Sequence, residues 1–290
     1  MKIGLTLPQA AGDGEGGTWS QILALARQAE AGGADSLWVS DHFFYRAPDA
    51  APGQEDGGHE GWTLLAALAA TTTRVELGPL VLATSFRPAA ILAKMAATLD
   101  DVAAGRFILG LGCGWHEPEY EAFGYPFDHR VGRFEEVLRI VRPLLRGERV
   151  TAGGRWQEVR DAALVPAPTH RIPILVAAKG ERMLRLTAEL ADAWQTAWFG
   201  LPDERYRTRH DALLAACAEV GRDPATLEVT VGVDVQTEPG DGPSLRLDRT
   251  ALVEAFAAWR AGGVDHLQVN VGPATRASFD VVLEAIAAAR

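Results

Sequence analysis

The stretch Phe107-Ile-Leu-Gly-Leu-Gly-Cys-Gly-Trp115, continued by His116-Glu117-Pro118-Glu119-Tyr120, decides the fold. An apolar run long enough for one buried strand breaks into alternating glycines, then releases aromatic and acidic side chains. Glycine has no Cβ, so a bulky planar ligand can approach the backbone closely there. A strand that ends this way builds a ligand site at its C-terminal edge.

The same unit repeats on both sides of it. Strands are expected at residues 3–7, 36–39, 75–81, 107–111, 174–177, 193–196, 227–233 and 266–269. Helices are expected at 19–31, 62–70, 88–102, 131–145, 181–190, 204–220, 249–261 and 279–289, with an irregular hairpin at 149–159 after the fourth. Ala31-Gly-Gly33, Ala104-Gly105 and Ala261-Gly-Gly263 supply glycine stops before the next strand. Strict strand–helix alternation makes a parallel sheet, and eight strands close it. The expected class is α/β, a (β/α)8 TIM barrel formed by one domain over residues 1–290, with loop insertions at the C-terminal face and after helix four. A doubly wound open sheet lacks its signature, because no Gly-x-Gly-x-x-Gly follows the first strand.

The 28 basic and 38 acidic side chains leave a formal charge of −10, which repels a polyphosphate and argues against nucleic acid as a partner. A hydrophobic fraction of 48% is enough for a sizeable core. No window approaches the roughly 18 uninterrupted apolar residues of a membrane span. Met1-Lys-Ile-Gly-Leu-Thr-Leu-Pro8 starts as a strand and lacks the pattern of a secretion signal. Cys113 and Cys217 lie on different elements and support neither a disulfide framework nor a metal knuckle, so a reducing cytoplasm is expected. A homodimer is the simplest oligomer. Arg205, Arg207 and Arg209 interleave with acidic neighbours and are expected to form a solvated helix face.

Barrel sites are assembled from the loops after the strands. Asp41-His42 ends the second strand, and a carboxylate beside a histidine can orient the imidazole for proton transfer. The plainer alternative is a pair that anchors the loop. Ala177-Ala178-Lys179-Gly180 precedes a helix, where bare N–H groups, the helix dipole and Lys179 favour a phosphate; such small-residue turns are also common for structural reasons alone. Glu117 and Glu119 are candidate acids. Trp115 and Tyr120 are expected against a ligand, with Cys113 packed beneath it and Trp194 and Trp198 in the core. A metal-dependent barrel hydrolase needs paired histidines near the end of strand one. That strand ends Pro8-Gln9 and the seven histidines are scattered, so no metal site is expected.

Several motifs in order resemble the bacterial luciferase-like superfamily. They are Ser40-Asp41-His42-Phe43, Leu77-Gly78, Val81-Leu82, Arg87-Pro88-Ala89, Leu92-Ala93-Lys94, Ala97-Thr98-Leu99-Asp100, Gly105-Arg106-Phe107 and Gly110-Leu111-Gly112 with Gly114-Trp115. Arg171-Ile172-Pro173-Ile174-Leu175-Val176 and Leu190-Ala191-Asp192-Ala193-Trp194 continue the match, which is good over residues 1–200 and general beyond. The resemblance is to the short oxidoreductases that use the deazaflavin coenzyme F420, while other branches use FMN. It implies that Asp41 and His42 sit beside the ring and that a non-proline cis peptide at Leu80-Val81 backs it. It also implies that Gly112, Gly114 and Trp115 line the ring and that Ala177, Ala178, Lys179 and Gly180 hold the phosphate. The sugar-phosphate dehydrogenases of the branch carry a catalytic glutamate where this chain has Trp115, with Glu117 close by but out of register. Arg46 replaces an aromatic residue of theirs, so a sugar phosphate is not the expected substrate.

Together these readings imply hydride transfer between the deazaflavin and a small organic substrate. His42 is expected to move the proton, with Asp41 as its orienter or a ring contact and Glu117 as a further acid. An FMN-dependent monooxygenase served by a separate reductase is the alternative on the same fold. A protein that binds a coenzyme without turning it over is the alternative outside catalysis.

Overall fold

A computed structural model describes residues 1–47, 50–51, 53–240 and 242–290. Its centre is a ring of parallel strands, β1 (Lys2–Thr6), β2 (Ser36–Val39), β3 (Glu76–Pro79), β4 (Leu109–Gly112), β5 (Ile174–Ala177), β6 (Ala193–Phe199), β7 (Glu228–Gln236) and β8 (His266–Gly272). They pair in the order β3-β2-β1-β8-β7-β6-β5-β4. The row closes where Leu77 of β3 bridges Phe107, just ahead of β4. This is the expected (β/α)8 barrel. Among the described residues no helix is long and apolar enough to cross a membrane.

Helices α1 (Trp19–Ala31), α2 (Gly61–Thr71), α3 (Ala89–Val102), α4 (Arg130–Leu145), α5 (Glu181–Leu190), α6 (Glu204–Val220), α7 (Arg249–Ala261) and α8 (Arg276–Ala288) alternate with the strands. In α1 the buried residues Ile22, Leu25, Ala26 and Ala29 recur at helical spacing and form one stripe. Each large aliphatic side chain buried this way contributes about 1.5–3 kcal/mol. The starts are marked chemically. Side chains of Thr18, Asp203, Asp248 and Thr275 accept from the N–H three residues on, each cap contributing about 1 kcal/mol.

The third strand departs from expectation. Pairing with β2 stops at Pro79, the Leu80–Val81 peptide is cis, and the chain pairs again at Leu82–Ala83, now with β4. The fourth strand begins at Leu109, two residues later than expected.

Its glycines also need a corrected explanation. A Cβ on Gly110 would stand 2.1 Å from the Pro79 carbonyl oxygen, and one on Gly112 would stand 2.7 Å from a Val81 methyl. One on Gly114, whose φ is +75°, would meet the Tyr120 hydroxyl at 1.8 Å. The space in front of these α-carbons is therefore taken by the neighbouring strand and by Tyr120, and barrel packing explains Gly112 and Gly114 without a ligand.

Two insertions rise from the frame. Val150–Gly153 and Glu158–Ala162 make the expected hairpin after α4. The loop after β2 folds back as Phe44–Tyr45 against Asp56–Gly57.

Candidate active site

β2 delivers Asp41 and His42 to the C-terminal face, where each takes a different partner. The Asp41 carboxylate, which is buried, accepts both arms of the Arg87 guanidinium at 2.8 and 2.9 Å and the Ala83 N–H at 2.9 Å. Arg87 also donates to Glu60, whose carboxylate caps the first turn of α2. Burial pushes the Asp41 carboxyl above its ordinary range, against the opposing pull of Arg87 and of the Ala83 N–H. Asp41 thus fixes the chain just after the cis peptide. The expectation that it orients His42 is corrected: both of its oxygens are already committed.

His42 is held instead by Glu119, with Nδ1 2.9 Å from a carboxylate oxygen. The other oxygen of Glu119 accepts the N–H groups of Phe43 and Phe44 at 2.5 and 3.0 Å. A carboxylate only accepts, so Nδ1 carries the proton and Nε2 is the nitrogen left for chemistry. Glu119 is 1% exposed while His42 is only partly buried, so a buried carboxylate ties the loops after β2 and β4 together. Glu117 is exposed on the opposite side of the short helix Glu117–Phe123, so the acidic partner in this region is Glu119 and not Glu117.

Aromatic rings surround the pair. Trp115, 61% exposed, stands edge-on to His42 with centroids 5.4 Å apart, and Tyr45 stacks on the buried His116 at 5.2 Å. His116 Nε2 accepts the Arg46 N–H, and burial holds its pKa below the ordinary histidine value. Trp115 is therefore exposed on this face, whereas Tyr120 is not. Its ring is buried, its hydroxyl donates to the Cys113 carbonyl at 3.2 Å, and burial pushes its pKa up to about 12.

A cavity of about 490 Å³ opens at the barrel mouth between the ends of β1, β2 and β8, with Leu80 and Trp198 on its far wall. Leu7, Pro8 and Val39 give it apolar surface, and Gln9, Ser40 and Asn270 give it polar edges. Gln9 is pinned by Ser40 and by the His59 carbonyl, and Asn270 bridges Thr6 and Asp234. These polar groups are fixed before any ligand arrives.

The loop after β5 lies between two further recesses. On one side, Cys113, His129, Arg130 and Arg182 line a recess of about 280 Å³. Burial pushes the Cys113 thiol up, against the pull of Arg130, in keeping with a packing role. On the other side, Lys179, Arg205 and Arg209 line one of about 690 Å³, which shares Trp198 and Gln236 with the mouth cavity. The expected solvated face of α6 holds for Arg207, which pairs with Glu204, and in part for the exposed Arg205, whose Nε lies 3.8 Å from Asp203, but not for Arg209. Arg205 and Arg209 turn onto the end of β6. Trp194 is core, as expected; Trp198 is 40% exposed at the mouth, contrary to expectation.

Ala177 to Gly180 lead into the first turn of α5 as expected, and Leu80-Val81 carries the cis bond that the resemblance implied. Glu119, Arg87 and Arg209 were the residues that sequence reasoning underrated. Each acts across a distance of 13 to 77 residues in the chain.

Known proteins resemble this chain in sequence and in fold. The phthiodiolone/phenolphthiodiolone dimycocerosates ketoreductase of Mycobacterium kansasii is 34% identical over 257 residues, covering 81% of this chain and 70% of that protein. The F420-dependent glucose-6-phosphate dehydrogenase of Beutenbergia cavernae is 34% identical over 252 residues, covering 84% and 72%. Among solved structures, an F420-dependent secondary alcohol dehydrogenase in complex with an F420-acetone adduct superposes with a TM-score of 0.83 at 18% identity, covering 100% of this chain and 99% of that one. The monooxygenase RslO1 from Streptomyces bottropensis does so with a TM-score of 0.75 at 23% identity, covering 99% and 98%. The family description "luciferase-like monooxygenase" matches residues 1–268. With that match over most of its length, the chain belongs to the luciferase-like monooxygenase family.

Proposed function

We propose that this protein is a coenzyme F420-dependent oxidoreductase that transfers a hydride between the deazaflavin and a small organic substrate of the alcohol–ketone type. The observation that carries the reading is His42, fixed through Nδ1 by the buried Glu119 and left with Nε2 open at the C-terminal face. The ketoreductase and dehydrogenase relatives support the reaction type. The residues present fit such a coenzyme. Leu80 and Val81 offer an apolar support for its ring, Asn270 keeps one amide hydrogen and one lone pair for a polar ring edge, and the turn from Ala177 to Gly180 with Lys179 offers N–H groups and a cation for its phosphate.

When bound, the coenzyme supplies the hydride chemistry. The protein's share is the proton. In the oxidising direction His42 Nε2 would take the hydroxyl proton of the alcohol. In the reducing direction the imidazolium returns that proton to the carbonyl oxygen. Glu119 keeps the ring in the tautomer that both directions need, and Trp115 covers the site against water.

The test is anaerobic mixing of the oxidised coenzyme with a panel of small secondary alcohols, followed by loss of the deazaflavin visible absorbance. His42→Ala should slow turnover by roughly two to four powers of ten, the usual worth of general acid–base catalysis, and leave coenzyme affinity nearly unchanged. Unchanged turnover removes His42 from the mechanism. An FMN-dependent monooxygenase remains the rival on the same fold, supported by the RslO1 likeness in fold alone.

A further inference from the structure

His116 lies where the loop after β4 meets the loop after β2, and it is 5% exposed. Its Nε2 accepts the backbone N–H of Arg46, 70 positions earlier in the chain, at 3.1 Å. A backbone N–H only donates, so Nε2 carries no proton and the neutral ring keeps its proton on Nδ1. The ring also stacks on Tyr45 with centroids 5.2 Å apart, and the rings of Phe44 and Trp115 stand 6.0 and 5.1 Å away. One imidazole thus holds Phe44, Tyr45 and Arg46 in place.

The charged groups around this ring are engaged elsewhere. Glu119 accepts His42 Nδ1 and the N–H groups of Phe43 and Phe44, and Arg46 pairs with Glu55. His42 stands 6.1 Å away, and Glu117, next in the chain, is exposed. Burial, with His42 and Arg46 beside it, holds the His116 pKa below the ordinary histidine value against the pull of Glu119. What this arrangement presents at the C-terminal face is ring surface. Tyr45 is 43% exposed, its ring is 6.2 Å from that of Trp115, and Trp115 stands edge-on to His42.

We propose that His116 is a positioning residue: it fastens the loop after β2 against the loop after β4, so that Tyr45 and Trp115 form one aromatic wall beside His42 that takes the apolar carbon skeleton of an uncharged substrate. The substrate class rests on the oxidoreductase reading; the fastening does not. Protonation turns Nε2 from an acceptor into a donor that faces the Arg46 N–H. The fastening is therefore present above the ordinary histidine pKa and lost as pH falls through the depressed one.

The first arm of the test needs neither coenzyme nor substrate. Proton–nitrogen NMR on arginine-labelled protein reads hydrogen exchange at the Arg46 amide, as protection relative to an unstructured peptide. His116→Phe keeps a ring for Tyr45 but has no acceptor, and should lower that protection roughly tenfold, the worth of about one hydrogen bond. His116→Gln supplies an acceptor oxygen in place of Nε2 and should restore it. In acid the wild type should lose the protection while the helical amides of Arg139 and Arg185 keep theirs, and His116→Gln should not lose it. Equal protection in wild type and His116→Phe overturns the proposal. So does equal acid loss in wild type and His116→Gln, because the titrating group is then His42 or Glu119. Should neither variant fold, the wild-type profile still decides: Arg46 protection that persists in acid until the helices open overturns the fastening.

The second arm reads binding of cyclohexanol and of its charged counterpart cyclohexanecarboxylate by saturation-transfer NMR, with and without coenzyme. Cyclohexanol should bind wild type and His116→Gln alike and His116→Phe about tenfold more weakly, the worth of one ordered aromatic contact. No binding of cyclohexanol, preference for the carboxylate, or equal binding to all three proteins overturns the wall. If no alcohol is oxidised, the oxidoreductase reading fails while the exchange arm still decides the fastening.

Discussion

Replacing Glu119 by Gln tests how the site holds its histidine. The carboxylate makes three contacts, to His42 Nδ1 at 2.9 Å and to the N–H groups of Phe43 and Phe44 at 2.5 and 3.0 Å. A glutamine can keep the two N–H contacts with its carbonyl oxygen. Its amide nitrogen then replaces the oxygen that faces Nδ1 and donates to it, so the imidazole must carry its proton on Nε2. The loss of one charge-assisted hydrogen bond in a buried setting costs about 1.5–3 kcal/mol of stability. The wrong tautomer closes Nε2 to the substrate proton and lowers turnover by about two to three powers of ten. Long-range proton–nitrogen NMR on histidine-labelled protein reports the tautomer directly and needs no substrate. Denaturant titration gives the stability change. If the variant keeps the wild-type tautomer at His42 with unchanged stability, Glu119 does not position that ring and the proton-transfer account loses its support.

Other expected outcomes follow from single contacts. Arg87→Met leaves the buried Asp41 with only the Ala83 N–H, at a cost of about 3–5 kcal/mol near neutral pH. Because burial raises the Asp41 pKa, acid should restore part of that loss, and urea midpoints measured against pH will show whether it does. Glu30 accepts the N–H groups of Thr73, Arg74 and Val75, which outweigh its burial and hold its carboxyl below the ordinary carboxylate range. Its stabilisation is therefore present above the ordinary carboxylate pKa and lost as pH falls through the depressed one. Glu30→Gln should cost about 1–2 kcal/mol at pH 7, after allowance for solvent screening, and the gap to wild type should close in acid. Gln268 is fully buried in β8 with both amide atoms lacking a partner among the described residues. Gln268→Met should raise the melting temperature, whereas a fall would reveal a partner for the amide, such as an ordered water. Gly110→Ala drives a methyl into the Pro79 carbonyl and should destabilise the barrel by about 3 kcal/mol or more, read as lost soluble yield and a lower melting temperature.

The elements were legible where the chain marks its own boundaries. The expected limits of α1, α6 and α7 match the structure because Thr18, Asp203 and Asp248 stand at their starts and apolar residues recur behind them. The break in β3 was not legible as a change of partner, because residues 75–81 read as one apolar run and pairing with β4 involves residues about thirty positions away. Glu117 and Glu119 looked alike in the sequence. Two steps along a helix turn a side chain through about 200°, so one faces water and the other His42. A helix of seven residues carries too little apolar pattern to fix that phase in advance. Arg205 and Arg209 did carry a usable signal: their spacing of four puts them on one face, away from Arg207, and Phe199 supplies the ring they pack on. Asp41 and Arg87 are 46 residues apart, and only the closed barrel brings them together.

The central claim is the coenzyme, and a titration of the purified apo-protein tests it most directly. Complete coenzyme F420 and FMN are added in parallel, with quenching of tryptophan fluorescence as the readout, since Trp115 and Trp198 stand at the mouth. Micromolar binding of F420 with weak or absent binding of FMN is the expected result. Preference for FMN would contradict the account and make the protein a flavin-dependent monooxygenase on the same barrel. Binding of neither would remove the coenzyme site altogether.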